Sequence, residues 1–401
     1  MSALNLYLDS NATTPPAAAV MQAVFDAMQG HWANASSTHA QGQLSKQLLV
    51  ADRGKVARFL GCKPAEVVFT SGATEANHMA LRGGIGFNNR MRLVVSAGEH
   101  AGVMKLVRHL AGLPGVTVDM IRLTPDGELD LAHAAELIRD DVALVSVMAA
   151  NNETGVLMPI GELARLAHER GAMLHVDATQ LVGKLPFDFA RSGADLASVS
   201  AHKFHGPKGI GALLVRQGLN WPVLFQGSQE RARRGGTENL PGIHGFAVAA
   251  EALTLSAEAW VTRASALAAM RDRLEQGLLS RLPGTVVFGQ VQTRLPNTSY
   301  LRFGRVHADV VLQRLERLGV MASSGAACSA GGNEPSHVLT AMGVSREEAL
   351  CAVRLSLPDD LQPPQIDQLM AGLSAELAPL MAEARATPDS QPSIAPPGVF
   401  A

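Results

Sequence analysis

Between Glu66 and Val215 the chain alternates short β-type runs with helical stretches. The runs are Val67–Thr70, Leu93–Ser96, Val116–Ile121, Ala143–Ala149, Met173–Asp177, Leu196–Ser200 and Ile210–Val215. Strands that alternate with helices cannot pair as hairpins; they stack as a mainly parallel sheet whose crossovers cover its faces. The stretch Ile160–Arg170 fits such a crossover, because Leu163, Leu166 and Ala167 recur on one helical face. The expected fold class is therefore α/β, with a seven-stranded, mainly parallel sheet. Ligands of such sheets collect beyond the carboxyl ends of the strands.

Two of the runs end on residues with chemistry to offer. Leu196–Ser200 leads into Ala201-His202-Lys203-Phe204-His205-Gly206-Pro207-Lys208-Gly209, and Met173–Asp177 ends on an acid 26 positions before Lys203. Taken singly, a lysine in a Gly/Pro-rich turn is a solvated side chain and an aspartate at a strand end is a helix cap. Taken together they suggest pyridoxal phosphate, which needs one lysine for its aldehyde and one carboxylate for its pyridinium nitrogen. The segment Ser71-Gly72-Ala73-Thr74 follows a strand and opens a helix. Its free backbone N–H groups and the helix dipole suit a phosphate.

At 401 residues, 47% hydrophobic and 17% charged, the chain is long enough for two domains and a large core. A net charge of −2 without a basic, aromatic-interleaved stripe leaves no electrostatic footprint for nucleic acid. The opening residues carry Asp9 and no apolar run of signal-peptide length, and the apolar stretches elsewhere are short or interrupted. The reading is cytoplasmic, with no membrane contact. Three cysteines, Cys62, Cys328 and Cys351, without CxxC spacing suggest neither a disulfide framework nor a structural zinc site. Cys328 differs from the other two: it sits among Ser323-Ser324-Gly325-Ala326-Ala327 and Ser329-Ala330-Gly331-Gly332, small residues that let a segment move.

Beyond Gly236, residues from about Leu240 to Leu282 read as long helix. A smaller unit follows, with strands at Thr298–Phe303 and Val353–Leu357 and helices near His307–Leu318, His337–Met342 and Pro364–Ala384. The opening segment, to about Pro16, is expected to pack with this unit. From Thr387 onward Pro and Ser dominate, which predicts a disordered tail.

The lysine and aspartate motifs belong to a set of nine in one order. The others are Tyr7–Pro15, Thr70–Asn77, Glu99-His100, Asn151–Gly155, Arg233–Asn239, Ser323–Ser329 and Val353–Leu357. From Tyr7 to about Leu357 the chain resembles the cysteine desulfurases, fold type I pyridoxal-phosphate enzymes of the class-V aminotransferase superfamily, in the group with a long cysteine-bearing loop. That resemblance implies a large cofactor-binding domain at 17–255. It also implies a small α+β domain, made of 1–16 and 256–386, with the catalytic loop at about 322–334.

The resemblance also implies roles. Lys203 carries the cofactor and Asp177 faces the ring nitrogen, a charge-assisted bond that keeps the ring electron-poor. Gln180 contacts the ring's phenolic oxygen, and His100 stacks on the ring and moves protons. Ala73, Thr74, Ser200 and His202 hold the phosphate, with Thr237 reaching it from a second subunit, so that the enzyme is a homodimer. Asn152 and Arg354, assisted by Asn34, anchor the substrate carboxylate, to which a guanidinium fork is suited. L-cysteine is the substrate. Cys328 takes its sulfur as a persulfide and passes it to an iron–sulfur scaffold or another sulfur acceptor, leaving alanine. No resident metal is implied, with Cys328 at most a transient iron–sulfur ligand. Ala35, Thr179, Ala201, Gly235 and Pro358 depart from the usual pattern and bear on loop behaviour and on the phosphate site.

Two readings compete. Another fold type I enzyme, an aminotransferase or selenocysteine lyase, would share most motifs but has no use for Cys328. A zinc protein using His175, Asp177, His202 and His205 would exploit His-x-Asp and His-x-x-His spacings, which recur by chance.

Overall fold

The computed structural model describes residues 4–325 and 334–386. Its largest element is a seven-stranded sheet of β1 (Val67–Thr70), β2 (Arg92–Ser96), β3 (Thr117–Ile121), β4 (Val142–Met148), β5 (Met173–Asp177), β6 (Leu196–Ser200) and β7 (Gly211–Val215). The order across the sheet is β1-β7-β6-β5-β4-β2-β3. Pairs from β3 to β6 are parallel, whereas β7 runs antiparallel to both β6 and β1. The sheet is thus the mainly parallel one expected, with strand ends within a residue of those read from the sequence.

Every residue of β4, β6 and β7 is buried, as a sheet covered on both faces requires. Alternation along each strand sorts side chains between two cores: Val67 and Phe69 join one cluster with Val94 and Val145, and Val68 joins another with Leu93, Leu144 and Leu213. The helix Ile160–Glu169 buries Leu163, Ala164 and Ala167 in the first of these, the crossover face anticipated from its periodicity.

A second sheet has three antiparallel strands, β8 (Thr285–Val287), β9 (Thr298–Phe303) and β10 (Ala352–Ser356), in the order β10-β9-β8. Leu301, Phe303, Val353 and Leu355 on one side pack with the helices Ala257–Arg281 and Pro363–Ala386 into a separate core. Leu6–Tyr7 pairs in parallel with Val320–Met321, and Leu6 and Leu8 enter that same core. The opening segment therefore packs with this unit.

Two details differ from the sequence reading. The helix expected over 240–282 is two helices, Leu240–Ala252 and Ala257–Arg281. The Thr254 hydroxyl donates back to the Ala250 carbonyl, and Ser256 accepts from the Ala259 N–H, so one helix closes and the next is capped within four residues. Strand β8 and the Leu6–Tyr7 and Val320–Met321 pair were not anticipated, because two or three residues carry too little periodicity. The tail from Thr387 lies outside the described residues.

A buried ion pair fastens one edge of the large sheet to a turn of unusual backbone. Arg53, on the helix Ala40–Phe59, is bonded twice to Glu230 at 2.6 and 2.7 Å; Glu230 also accepts the Phe69 N–H at 2.9 Å. This ties β1 to a turn in which Glu230, Arg231 and Ala232 all hold positive φ, between 48° and 60°. Left-handed backbone at three consecutive side-chain-bearing residues is costly and persists only when held from outside. Glu230→Gln, which leaves the Arg53 charge buried without its partner, should lower the unfolding free energy by about 3–5 kcal/mol in urea titrations.

Candidate active site

The carboxyl ends of the parallel strands open into a cavity of about 500 Å³. The chain runs outward from β2 to β3 and returns to β4 on the other side of β2, and a parallel sheet leaves a crevice where its strand order reverses. His100, after β2, and Asn152, after β4, flank that crevice. Asp177 ends β5; Ser200 ends β6 and is followed by the single turn Ala201–Lys203.

One end of the cavity is built for an anion. Ser71, Gly72, Ala73 and Thr74 line it where the helix Ala73–Gly84 starts, and no side chain caps that helix. Its first N–H groups therefore face the cavity with the positive end of the helix dipole. Gly72 has φ +151° and ψ −179°, a conformation essentially confined to glycine. Ser200, His202 and Lys208 line the same cavity, and a Cβ on Gly72 would meet Ser200 Oγ at 3.5 Å. Burial, with Lys203 and Lys208 nearby, holds His202 down at about 4, so near neutrality its imidazole is uncharged.

The other groups are fixed by bonds to neighbours in and beside the cavity. Asp177 accepts from Asn77 Nδ2 at 2.7 Å and from the Thr179 N–H at 3.0 Å, which fixes its carboxylate in one orientation. His100 caps the helix Ala101–Ala111, its Nδ1 accepting from the Gly102 N–H at 3.1 Å; burial pushes its pKa down, against the pull of Asp177. With Nδ1 an acceptor, the proton of the neutral ring sits on Nε2. Lys203 Nζ donates to the Asn11 and Ala12 carbonyls at 2.6 and 3.0 Å. Beside these, Glu99 is fully buried, and burial and Asp177 push its carboxyl well above the usual range.

Nine residues named from the sequence line this one cavity: Ala73, Thr74, His100, Asn152, Asp177, Gln180, Ser200, His202 and Lys203. Three do not. Arg354, on β10, stands next to it, donating to the Asn152 carbonyl at 2.9 Å and to Asp9 at 2.6 Å. Asn34 and Thr237 line a second cavity of about 380 Å³. Cys328 lies outside the described residues. The chain on either side of its segment is anchored: Ser324 accepts from Tyr300 at 3.0 Å, Arg354 and Ser323 bond through their backbones, and Ser336 donates to buried Glu153. Cys62 and Cys351 have thiols raised by burial, Cys62 to about 12, as suits unreactive packing residues.

Sequence reasoning did not single out Asn11, Asn77, Lys184 or Lys208. Asn77 lies three residues after Thr74, one helical turn on, and so reaches the same end of the sheet. The zinc alternative finds no geometry to support it: His175 spends its nitrogens on Ser146 and Ser198, at 2.8 and 2.9 Å. Among the described residues, no three His, Cys, Asp or Glu side chains gather to hold a metal.

Residues 6–369 match the family described as aminotransferase class-V. The chain is 43% identical over 368 residues to a cysteine desulfurase of Cereibacter sphaeroides, covering 91% of this chain and 94% of that one. It belongs to the cysteine desulfurase family. The cysteine desulfurase NifS of Azotobacter vinelandii is 40% identical over 384 residues, covering 95% and 94% of the two chains. A solved NifS-like protein superposes with a TM-score of 0.85 at 31% identity, covering 93% of this chain and 99% of its own. As a member of this family the chain is an enzyme of sulfur transfer, and its fold is that of the NifS-like proteins. Among the described residues no helix is long and apolar enough to cross a membrane.

The donor set suits a ligand with an anion at one end, a cationic ring nitrogen at Asp177 and a carbonyl at Lys203. Buried polar atoms without partners among the described residues, Asn152 Oδ1, Thr179 Oγ1 and Asn77 Oδ1, belong to cavity-lining residues and fit that ligand. Burial also fixes a pH dependence. His175 is fully buried with its pKa lowered to about 4, against about 6.5 when unfolded. The unfolded chain binds the extra proton between these values, so stability rises with pH from about 4 to about 6.5 and is lost on acidification. His175→Gln should reduce the pH slope of the urea midpoint across that window, with His175 accounting for about 3 kcal/mol at its acid end.

Proposed function

We propose that the cavity holds pyridoxal phosphate and that the enzyme removes sulfur from L-cysteine, giving alanine and a persulfide on Cys328. The observation that carries this reading is that Lys203 and Asp177 line one cavity together with the uncapped N-terminus of a helix. When bound, the cofactor draws electrons from the substrate's α-carbon and so weakens its bonds.

The chain's own groups do the rest. Lys203 would hold the cofactor aldehyde, and its amine, when not engaged there, would remove the proton at the substrate α-carbon. Ser200, His202, Ala73 and Thr74 would hold the phosphate by neutral hydrogen bonds and backbone N–H groups, and His100 would contact the ring. Asn152 and Arg354 orient the substrate carboxylate, and Asp9 fixes the guanidinium that does so. The Cys328 thiolate attacks the substrate sulfur: an S–S bond forms, the C–S bond breaks, and the β-carbon gains a proton on the way to alanine. A thiol with an ordinary pKa near 8.5 is mostly protonated at neutral pH, so the site must take its proton first. The persulfide then passes to an iron–sulfur scaffold or another thiolation carrier in the cytoplasm.

A second copy of the chain completes the site. On the helix Ala18–Gly30, Val20, Ala23 and Ala27 are buried, whereas Met21, Phe25 and Met28 form an exposed apolar stripe that continues to Trp32, 73% exposed. Met28 and Trp32 line the second cavity together with Asn34 and Thr237. A stripe of this kind beside two site residues that miss their own cavity is what a homodimer interface supplies.

Sulfide, released in the presence of a reductant, and alanine should form in equal amounts from L-cysteine without a keto acid, whereas a transaminase would need one and leave the sulfur on carbon. Lys203→Ala should abolish both products. Cys328→Ser should still bind cofactor and substrate but release no sulfide; normal turnover by this variant would remove Cys328 from the reaction. Phe25→Asp with Trp32→Asp should halve the sedimenting mass to the 42.2 kDa of one chain.

A further inference from the structure

Lys184 is a lysine with almost no access to water, 6% exposed, on a turn four residues after Gln180. Its Nζ donates to the Gln180 carbonyl at 3.1 Å and to Gln180 Oε1 at 2.7 Å. On the far side of the amide, Gln180 Nε2 donates to the Asn11 carbonyl at 2.9 Å, the same oxygen that accepts Lys203 Nζ at 2.6 Å. A carbonyl oxygen can only accept, so the amide nitrogen must face Asn11 and the amide oxygen must face Lys184. This assignment stands whichever protonation state Lys184 adopts, because a neutral amine still has two hydrogens to donate. Burial pushes the Lys184 amine well below the usual lysine range, and the Lys203 and Arg354 charges push the same way.

Burying an amine this deeply is costly unless its bonds do something for the fold or the site. Gln180 lines the main cavity and Lys184 does not. One Nε2 hydrogen goes to Asn11; the second is left for the cavity. Without Lys184 the amide oxygen would be a buried acceptor lacking a partner, and the side chain would be released from this orientation.

We propose that Lys184 is a positioning residue. By holding Gln180 Oε1 it makes Gln180 present a hydrogen-bond donor, not an acceptor, to an oxyanion on the ligand in the cavity. The proposal rests on the reading of the cavity as a pyridoxal phosphate site, where that oxyanion is the ring's phenolate. A donor there draws off the negative charge that helps retain the proton on the nitrogen joining Lys203 to the cofactor. The visible absorbance change that follows loss of this proton then occurs at lower pH.

The test uses Lys184→Met, which keeps the length of the side chain and removes the donor, together with Gln180→Leu and the double variant. In the cofactor-loaded protein, both single variants should move the absorbance transition upward by about one pH unit, and the double variant should move it no further. In the cofactor-free protein, urea midpoints of the same four chains should be non-additive, since the two side chains are directly bonded. If Gln180→Leu shifts the transition and Lys184→Met does not, or if the midpoints add, Lys184 does not orient Gln180 and the proposal is overturned. A protein that takes up no cofactor overturns the reading of the cavity instead, and the urea cycle still decides the Lys184–Gln180 link. Should Lys184→Met fail to fold, Lys184→Gln, whose shorter side chain does not span the same distance, replaces it in both measurements.

Discussion

Burial of the main sheet on both faces is the constraint from which the rest of the molecule follows. Strands β4, β6 and β7 have no exposed residue, so a polar group along their length needs a partner inside the protein. His175, bonded to Ser146 and Ser198 between neighbouring strands, shows what such a group requires. Chemistry that must meet a ligand is displaced to the strand ends, and there Asp177, Ser200 and Lys203 are found.

The opening segment joins that edge to the second unit. Asn11 donates through its side chain to Thr298 and to the Asn152 carbonyl, and its backbone N–H bonds Ser356 Oγ; its own carbonyl receives both Lys203 and Gln180. Thr14 adds bonds to the turn that carries Lys203, through the His202 carbonyl and the His205 N–H. A few residues from the start of the chain thus hold together the large sheet, β9 and β10. The site depends on both units being folded, and a change in the opening segment would reach the lysine without touching it.

Charge is managed differently at the two ends of the cavity. At the anion end, hydrogen bonds and a helix terminus are available beside a histidine that burial keeps neutral. Near Asp177, the buried Glu99 is pushed towards its uncharged form, so that the aspartate does not share its surroundings with a second full negative charge. Arg354 is bonded to Asp9 on one side and to the Asn152 carbonyl on another, which holds the guanidinium in place while its buried Nε has no partner among the described residues.

Much of this was legible in the residues. Short, mostly apolar runs alternating with helical stretches pointed to the seven-stranded sheet, because a strand covered on both faces is largely apolar. The ends of β5 and β6 gave Asp177 and Lys203, because polar residues there interrupt the apolar runs. The order of nine motifs pointed to the family. The break at 253–256 was hidden, since it turns on two hydroxyl bonds inside an alanine- and leucine-rich stretch. The roles of Asn11 and Lys184 were hidden too: each acts through partners that are remote in sequence or through the orientation of one amide. Sequence by itself determined which elements form and which residue types stand at their ends, because both follow from local pattern. Only the tertiary structure decided that nine of the named residues share one cavity while Asn34 and Thr237 line another, because that depends on how distant segments pack.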